Sequence, residues 1–307
     1  MAATLSALAR QGPSDGDLIM ALRDRLGFVD NNVWLWGRVG AQAWWDARQA
    51  RHALARDPDR YAAVRVFCNF IGYPRSGHSV VGSILDAHEE ALFSHRLDAL
   101  GRLSAGDAPE TVFHMIERNS ARFARDGRKL TAYAYPVPGQ HQGRSTRPTV
   151  IGDQEAKWAT LRLSRDPELL SRARFRRTPA LAFIHVVRNP FDNIATLANR
   201  TQMPLEPAME TYFQLCDGVE RIKARYPDQV LDIGHEDLVA EPRAHIRRLG
   251  QFLGLPVGQA YLDACAGLVF PAASRSRDSR VWPLAVIREI EQRSRRHRHL
   301  ANYAYDT

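Results

Sequence analysis

The chain has 307 residues, of which 45% are hydrophobic and 25% charged, with a formal net charge of +8. That balance suits a globular protein with a sizeable core and excludes fibrous and disordered classes. Lysine occurs only at Lys129, Lys157 and Lys223, so the positive charge is almost all arginine, the side chain suited to two-pronged grips on phosphate or sulfate.

No apolar run reaches the roughly 18 residues a membrane-spanning helix needs. The three cysteines, Cys68, Cys216 and Cys265, are widely separated and odd in number, which fits neither a disulfide framework nor a metal site. Buried thiols in a reducing compartment are expected, and no metal. Met1 to Met20 is interrupted by Arg10, Asp15 and Asp17 and lacks the apolar core of a signal peptide, so the expected location is cytoplasmic.

Residues 1–60 read as a helical leader packed on the main body, which fills 61–307. Trp34, Trp36, Trp44 and Trp45 alternate there with Arg38, Arg48, Arg51 and Arg56. Aromatic packing beneath an arginine-rich solvent face accounts for the pattern; a helix in peripheral contact with a membrane surface or a glycan is the sharper alternative.

From Val64 the pattern changes to strands alternating with helices. Residues 64–72 form an apolar run ending at a Gly/Pro/Arg/Ser turn, Gly72-Tyr73-Pro74-Arg75-Ser76-Gly77-His78-Ser79, and a helical pattern follows through Leu85. Such a loop aims backbone amides and a helix dipole at one point, where an anion binds. It lacks the Gly-Lys-Ser/Thr ending of a Walker A loop. A second strand is expected over 91–94, a helix over 109–126, a loop over 133–148 whose Tyr133 and Tyr135 can border a substrate mouth, a strand over 149–153, and two helices over 155–176. The strongest later strand is 181–187, ending at Arg188-Asn189-Pro190-Phe191-Asp192, with a helix beyond it that carries Thr196. A long helix over 207–226, a strand at 230–233, a helix over 242–253, an Arg/Ser-rich loop over 271–280 and a closing helix over 283–292 complete the chain. Strands separated by helices predict an α/β fold, a three-layer α/β/α sandwich about a central parallel sheet. Ligands in such folds bind at the carboxyl ends of the strands, where Arg75 and Arg188 both fall.

Taken together these segments resemble the sulfotransferase family. The 73–79 loop is similar to its 5′-phosphosulfate loop, Arg188 with Thr196 to its 3′-phosphate motif, and His235-Glu236-Asp237-Leu238 with Phe252-Leu253-Gly254-Leu255 to its later "YEDL … FLG" segment. The likeness runs in order from about Val64 to Arg280. It implies a P-loop nucleotide-kinase-like fold and the donor 3′-phosphoadenosine 5′-phosphosulfate (PAPS), with adenosine 3′,5′-bisphosphate (PAP) as product. Under that resemblance Arg75, Ser76, Gly77, His78 and Ser79 hold the phosphosulfate, Arg188 and Thr196 hold the 3′-phosphate, and Arg275 or Arg277 closes over it. The partner is a hydroxyl-bearing acceptor, a carbohydrate, lipid or small molecule. A nucleic-acid role would rest on charge alone, and none is expected.

Sulfuryl transfer needs positive charge over the leaving phosphate and a base for the acceptor proton. Arg75 stands where many members carry a lysine. Leu85-Asp86-Ala87-His88 is most like the bacterial and protein-tyrosine branches, and the latter place the glutamate that serves as their base where this chain has Arg96, which cannot accept a proton. His95 is therefore the expected base, with Asp98 as fallback. Gln154 is neutral where related sequences often place a lysine. Both departures touch catalysis rather than donor binding, so a PAPS/PAP-binding protein with weakened or lost transfer is the main alternative, and a P-loop kinase a weaker one.

Overall fold

The computed structural model describes residues 36–130 and 133–306. By compactness the chain divides into residues 1–46 and 47–307, and the division falls within the first described helix, α1 (Trp36–Arg56). Residues 1–35 of the expected leader, including Val33, Trp34 and Leu35, lie outside the described residues.

In the larger unit the elements follow the order β1 (Val66–Ile71), α2 (His78–Asp86), β2 (Ala91–Ser94), α3 (Ala99–Ser104), α4 (Pro109–Arg125), a small hairpin of β3 (Lys129–Leu130) and β4 (Tyr133–Ala134), β5 (Val150–Asp153), α5 (Ala156–Arg165), β6 (Ala180–Val187), α6 (Pro190–Thr201), α7 (Leu205–Arg225), β7 (Val230–Gly234), α8 (His235–Ala240), α9 (Pro242–Leu253), α10 (Gln259–Ala266) and α11 (Leu284–Ser294). Short 3₁₀ turns cover Ser276–Ser279 and Arg298–Leu300.

The main sheet has the order β2-β5-β1-β6-β7 and is parallel throughout. Period-two alternation divides each central strand between two cores. Cys68 and Phe70 of β1 face one core with Ile184 of β6, Val81 and Ile84 of α2 and Leu249 of α9. Phe67 and Ile71 face the other with Phe183 of β6, Val112 and Ile116 of α4, and Val219 of α7. Helices therefore cover both faces, and burial of each large apolar side chain contributes roughly 1.5–3 kcal/mol. A third cluster joins Phe191 and Ile194 of α6 to Tyr212 and Phe213 of α7 and Ile290 of α11.

Chain direction places the site. From β1 the chain runs outward to β2 and returns through β5; from β5 it crosses β1 to build β6 and β7. The order thus reverses between β1 and β6, which opens a crevice at their carboxyl ends. Ile71 pairs with His185 in the last register of these two strands, and the loop starting at Gly72 and the corner starting at Arg188 both emerge there. The two helices expected over 155–176 are one helix, α5, and a run of turns; the helices α3 and α10 had no distinct signal.

Candidate functional site

The β1–α2 loop holds a conformation that L-residues rarely adopt. Gly72 (φ 115°), Arg75 (φ 72°) and Gly77 (φ 96°) all have positive φ. The two glycines are required by close approach as well as by φ: a Cβ on Gly72 would sit 2.7 Å from Cδ2 of His185, and one on Gly77 2.5 Å from Nδ1 of His235. The Gly72 amide donates to Thr160 Oγ1 on α5 (2.7 Å). Asn193 on α6 braces the other side, its amide nitrogen toward Pro74 O (3.1 Å) and its oxygen toward the Ser76 amide (3.3 Å) in the orientation that satisfies both ends. Gly77 caps α2 without a side-chain hydrogen bond; the Val80 amide donates to the Gly77 carbonyl (3.2 Å), which leaves the His78 and Ser79 amides for another acceptor. His78 is buried. Burial, helped by Arg96 and Arg75, lowers its pKa to about 3, so it presents a neutral ring. Ser79 Oγ accepts from Gln154 Nε2 (3.1 Å).

Arg188 spans the crevice. Its Nη1 donates to the Arg75 carbonyl (3.0 Å) and to Thr196 Oγ1 (3.3 Å), and its Nη2 to Ser274 O (2.6 Å) and Ser276 Oγ (3.3 Å). Thr196 Oγ1 donates to the Asp192 carbonyl (2.7 Å) and lies 2.8 Å from Ser276 Oγ. Nε of Arg188 is buried with no hydrogen-bond partner. The structure thus brings Arg188, Thr196 and the first loop into one cluster and adds Ser276, which the Arg/Ser-rich composition of 271–280 had marked only as a loop. At the rim, Tyr133 and Tyr135 stack 6.4 Å apart and Phe270 meets Tyr133 edge-on at 5.9 Å; the Tyr133 phenol is close enough to act electrostatically on Arg188.

The late basic loop differs from expectation. Arg277 is buried and committed: its Nε and Nη2 grip both carboxylate oxygens of Asp192 (3.1 and 2.8 Å), and its Nη1 donates to Tyr305 O (2.7 Å). With its donors used internally it is a structural tie and not a lid. Arg275 is exposed and pairs with Asp278 (3.2 Å), which leaves it the only arginine of the expected pair on the surface. Beneath this loop the C-terminal segment acts as a strap. Ala304 O accepts from Asn189 Nδ2 (3.2 Å) and Tyr303 donates to Glu236 (2.9 Å), whose other oxygen accepts from the Asn189 amide (3.0 Å). This support was invisible in sequence because its acceptors at 304 and 305 are backbone carbonyls.

The β2–α3 turn carries the proposed base. Arg96 (φ 54°) and Asp98 (φ 63°) are both left-handed, a costly pairing for side-chain-bearing residues. Asp153, at the end of β5, holds the turn by accepting from Ser94 Oγ (2.8 Å) and the amides of Leu97 (3.2 Å) and Ala99 (2.8 Å). Burial raises its pKa to about 6 against those hydrogen bonds. The His95 ring stacks on Phe123 (4.2 Å, 11°), its amide donates to Asn119 Oδ1 (2.7 Å), and its Nδ1 is buried with no hydrogen-bond partner. Burial first, then Arg96 and Arg128, holds its pKa well below the usual range, while a hydrogen bond to Gln154 acts the other way. His95 is therefore a neutral ring tied through Gln154 to Ser79 of the β1–α2 loop. Asp98 does not fit the fallback role. It caps α3 at Gly101 (3.2 Å) and holds Arg162 through two bonds of 3.0 and 2.7 Å, so both oxygens are engaged. Lys157 lies on α5 with Nζ 5.3 Å from the Trp158 ring centre.

Other residues resolve simply. His88 accepts from the Glu90 amide at Nδ1 (3.1 Å), so its Nε2 donates to Pro256 O (2.7 Å), a structural tie. The three cysteines are buried and unbridged. Among the described residues no cluster of His, Cys, Asp or Glu is arranged to hold a metal ion, and no helix is long and apolar enough to cross a membrane.

Solved structures similar to this chain include sulfotransferase STF9 of Mycobacterium avium (13% identity, 84% of each chain covered, TM-score 0.49). Others are STF1 of Mycobacterium tuberculosis (12%, 94% of this chain and 95% of that one, 0.47) and mouse SULT7A1 complexed with PAP (11%, 80% and 93%, 0.43). No curated protein matches. The model described as "Sulfotransferase family" matches residues 69–259, a span that holds the β1–α2 loop, the Arg188 corner and His235, and the chain belongs to that family.

Proposed function

We propose that the protein transfers a sulfuryl group from PAPS to a hydroxyl of a carbohydrate, lipid or small-molecule acceptor. The observation that carries this reading is the junction of the two anchors, Arg188 bonded at once to the Arg75 carbonyl and to Thr196. One arginine thereby fixes the distance between two anion sites. The residues fit a doubly phosphorylated donor: the His78 and Ser79 amides and Arg75 at one end, Arg188, Thr196 and Ser276 at the other, with a buried, unpartnered Nε on Arg188. When bound, the donor supplies an activated sulfuryl group.

The chain's own residues then have distinct tasks. The α2 amides and Arg75 place positive charge where the leaving phosphate gains negative charge. Arg75 does this without giving up a proton. Neutral His78 can donate to an oxygen of the transferring group. His95 takes the acceptor's proton at its unpartnered Nδ1; burial and Arg96 keep the ring neutral in the free protein, and the negative charge that enters with the donor offsets the arginines and raises its basicity. Tyr133, Tyr135 and Phe270 offer aromatic faces at the mouth.

Calorimetric titration with PAP, followed by an acceptor screen with labelled PAPS, tests this reading. Saturable PAP binding with donor consumption is expected. Binding without turnover on any acceptor would make the chain a donor-binding protein, and clear ATP binding without PAP binding would revive a kinase.

A further inference from the structure

Helix α11 and the turn before it expose an apolar edge inside a strongly basic stretch of the chain. Val281 is 93% exposed and Leu284 70%, which makes them the most exposed large apolar side chains among the described residues. From Arg280 to Arg298 the sequence carries six arginines and two glutamates, a net charge of +4 in a chain whose total is +8. The apolar pair is not a loose end. Trp282, next to Val281, is buried; its Nε1 donates to Arg277 O (2.9 Å) and its ring meets Phe191 edge-on at 5.5 Å. Pro283 then occupies the N-cap of α11. An anchored turn thus holds Val281 and Leu284 out in water, where neither gains by burial.

The arginines continue the same surface. Val286 and Ile290 turn the inner face of α11 into the core, and the spacing i, i+4, i+11 sets Leu284, Arg288 and Arg295 in one outward stripe. Glu291, at i+7, is half-buried. Arg293 is taken up by Glu210 and Glu289. Arg288, Arg295, Arg296 and Arg298 are exposed and make no ion pair among the described residues.

We propose that the Val281–Leu284 turn and the outer stripe of α11 dock the protein on the surface of an anionic phospholipid bilayer. Val281 and Leu284 enter the boundary between headgroups and acyl chains, and the arginines grip lipid phosphates. A nucleic acid would use the arginines but leave both apolar side chains in water, whereas an anionic bilayer takes up both kinds of group. This surface is separate from the donor cleft, and the inference stands independently of the reaction proposed above.

The test is co-sedimentation of the full chain with vesicles of phosphatidylcholine alone and of phosphatidylcholine with phosphatidylglycerol. Wild type is compared with the double variants Val281→Ser/Leu284→Ser and Arg288→Gln/Arg295→Gln. Binding to the anionic vesicles is expected, falling steeply as salt is raised. The arginine variant should bind roughly 10- to 30-fold more weakly, about fivefold for each charge removed, and the apolar variant several-fold more weakly. Circular dichroism melting close to wild type in both variants shows that the losses are not unfolding. Equal binding by all three chains, binding indifferent to phosphatidylglycerol, or no vesicle binding at all would overturn the proposal. So would a double-stranded DNA probe that wild type and the apolar variant hold alike and as tightly as wild type holds the vesicles.

Discussion

The two halves of the crevice are built by opposite means. On the β6 side, Arg188, Thr196, Ser276, Asp192 and Arg277 form a closed network in which nearly every donor has a named acceptor. The C-terminal segment is laced beneath it. On the β2 side, His95 is placed by stacking, by its own backbone amide and by a turn with two left-handed residues, and its buried Nδ1 has no hydrogen-bond partner. A phosphate anchor must hold a fixed charge in a fixed place, which rewards satisfied hydrogen bonds. A base must change protonation state, and a side chain fully engaged by neighbours cannot do so. Asp98 shows the difference within one turn: it is bound on both oxygens and is structural.

The largest expected effect breaks the β2 half alone. His95→Gln should lower turnover by about 10²–10⁴-fold, the usual worth of a positioned proton acceptor, while PAP affinity by calorimetry stays within about threefold. Turnover within a factor of three of wild type would mean that the proton leaves by another route. Asp192→Ala attacks the β6 half through its support. It leaves the Arg277 guanidinium buried without its partner, at a cost of about 3–5 kcal/mol, read as a lower urea midpoint together with weakened PAP binding; a change below 1 kcal/mol would show that the tie is not structural. Arg188→Ala removes a charged grip without such a buried orphan. It should weaken PAP by roughly 10²-fold, since hydrogen bonds to charged groups contribute about 1.5–3 kcal/mol, and unchanged affinity would sink the clamp.

Legibility in the sequence followed the same division. The strands β1 and β6 were readable because both faces are buried, which produces continuous apolar runs, and the glycines and prolines after them marked where loops begin. Arg188 and Thr196 were readable because two turns of helix fix their separation. The supports were not. Asp153 ends an apolar strand like any acidic residue facing solvent, yet it is buried and holds the turn from 94 to 99. Asn193 looked like an ordinary helix residue. Arg277 and Arg275 stand two apart in one basic loop, and only the position of Asp192 separates the buried tie from the exposed pair. Composition gives residue types, while partners come from chain crossings that bring distant segments together.

The remaining contrast concerns acid. Behind the β1–α2 loop, His185 is fully buried against Gly72 and donates Nδ1–H to Asp232 (2.9 Å). Burial lowers its pKa to about 4 even though Asp232 works in the other direction. Burial alone would raise Asp232, but His185 and Lys223 overcome it and keep that carboxylate ionised, so the pair is a neutral ring on a charged acid. A histidine with a depressed folded pKa contributes stability that is present above its unfolded value, near 6.5, and lost as pH falls toward about 4. Over that window His185 should cost the fold on the order of 3 kcal/mol. Urea midpoints at pH 7 and pH 4.5 should therefore differ, and His185→Gln should shrink the difference even if it lowers stability at pH 7. The β2 half offers the control. Asp98→Asn keeps the helix cap and loses only the charge of a mostly buried ion pair, so it should change stability by about 1–2 kcal/mol, with turnover within about threefold of wild type. A loss of turnover as large as that of His95→Gln, at unchanged stability, would move the proton to Asp98 and erase the contrast between the two halves.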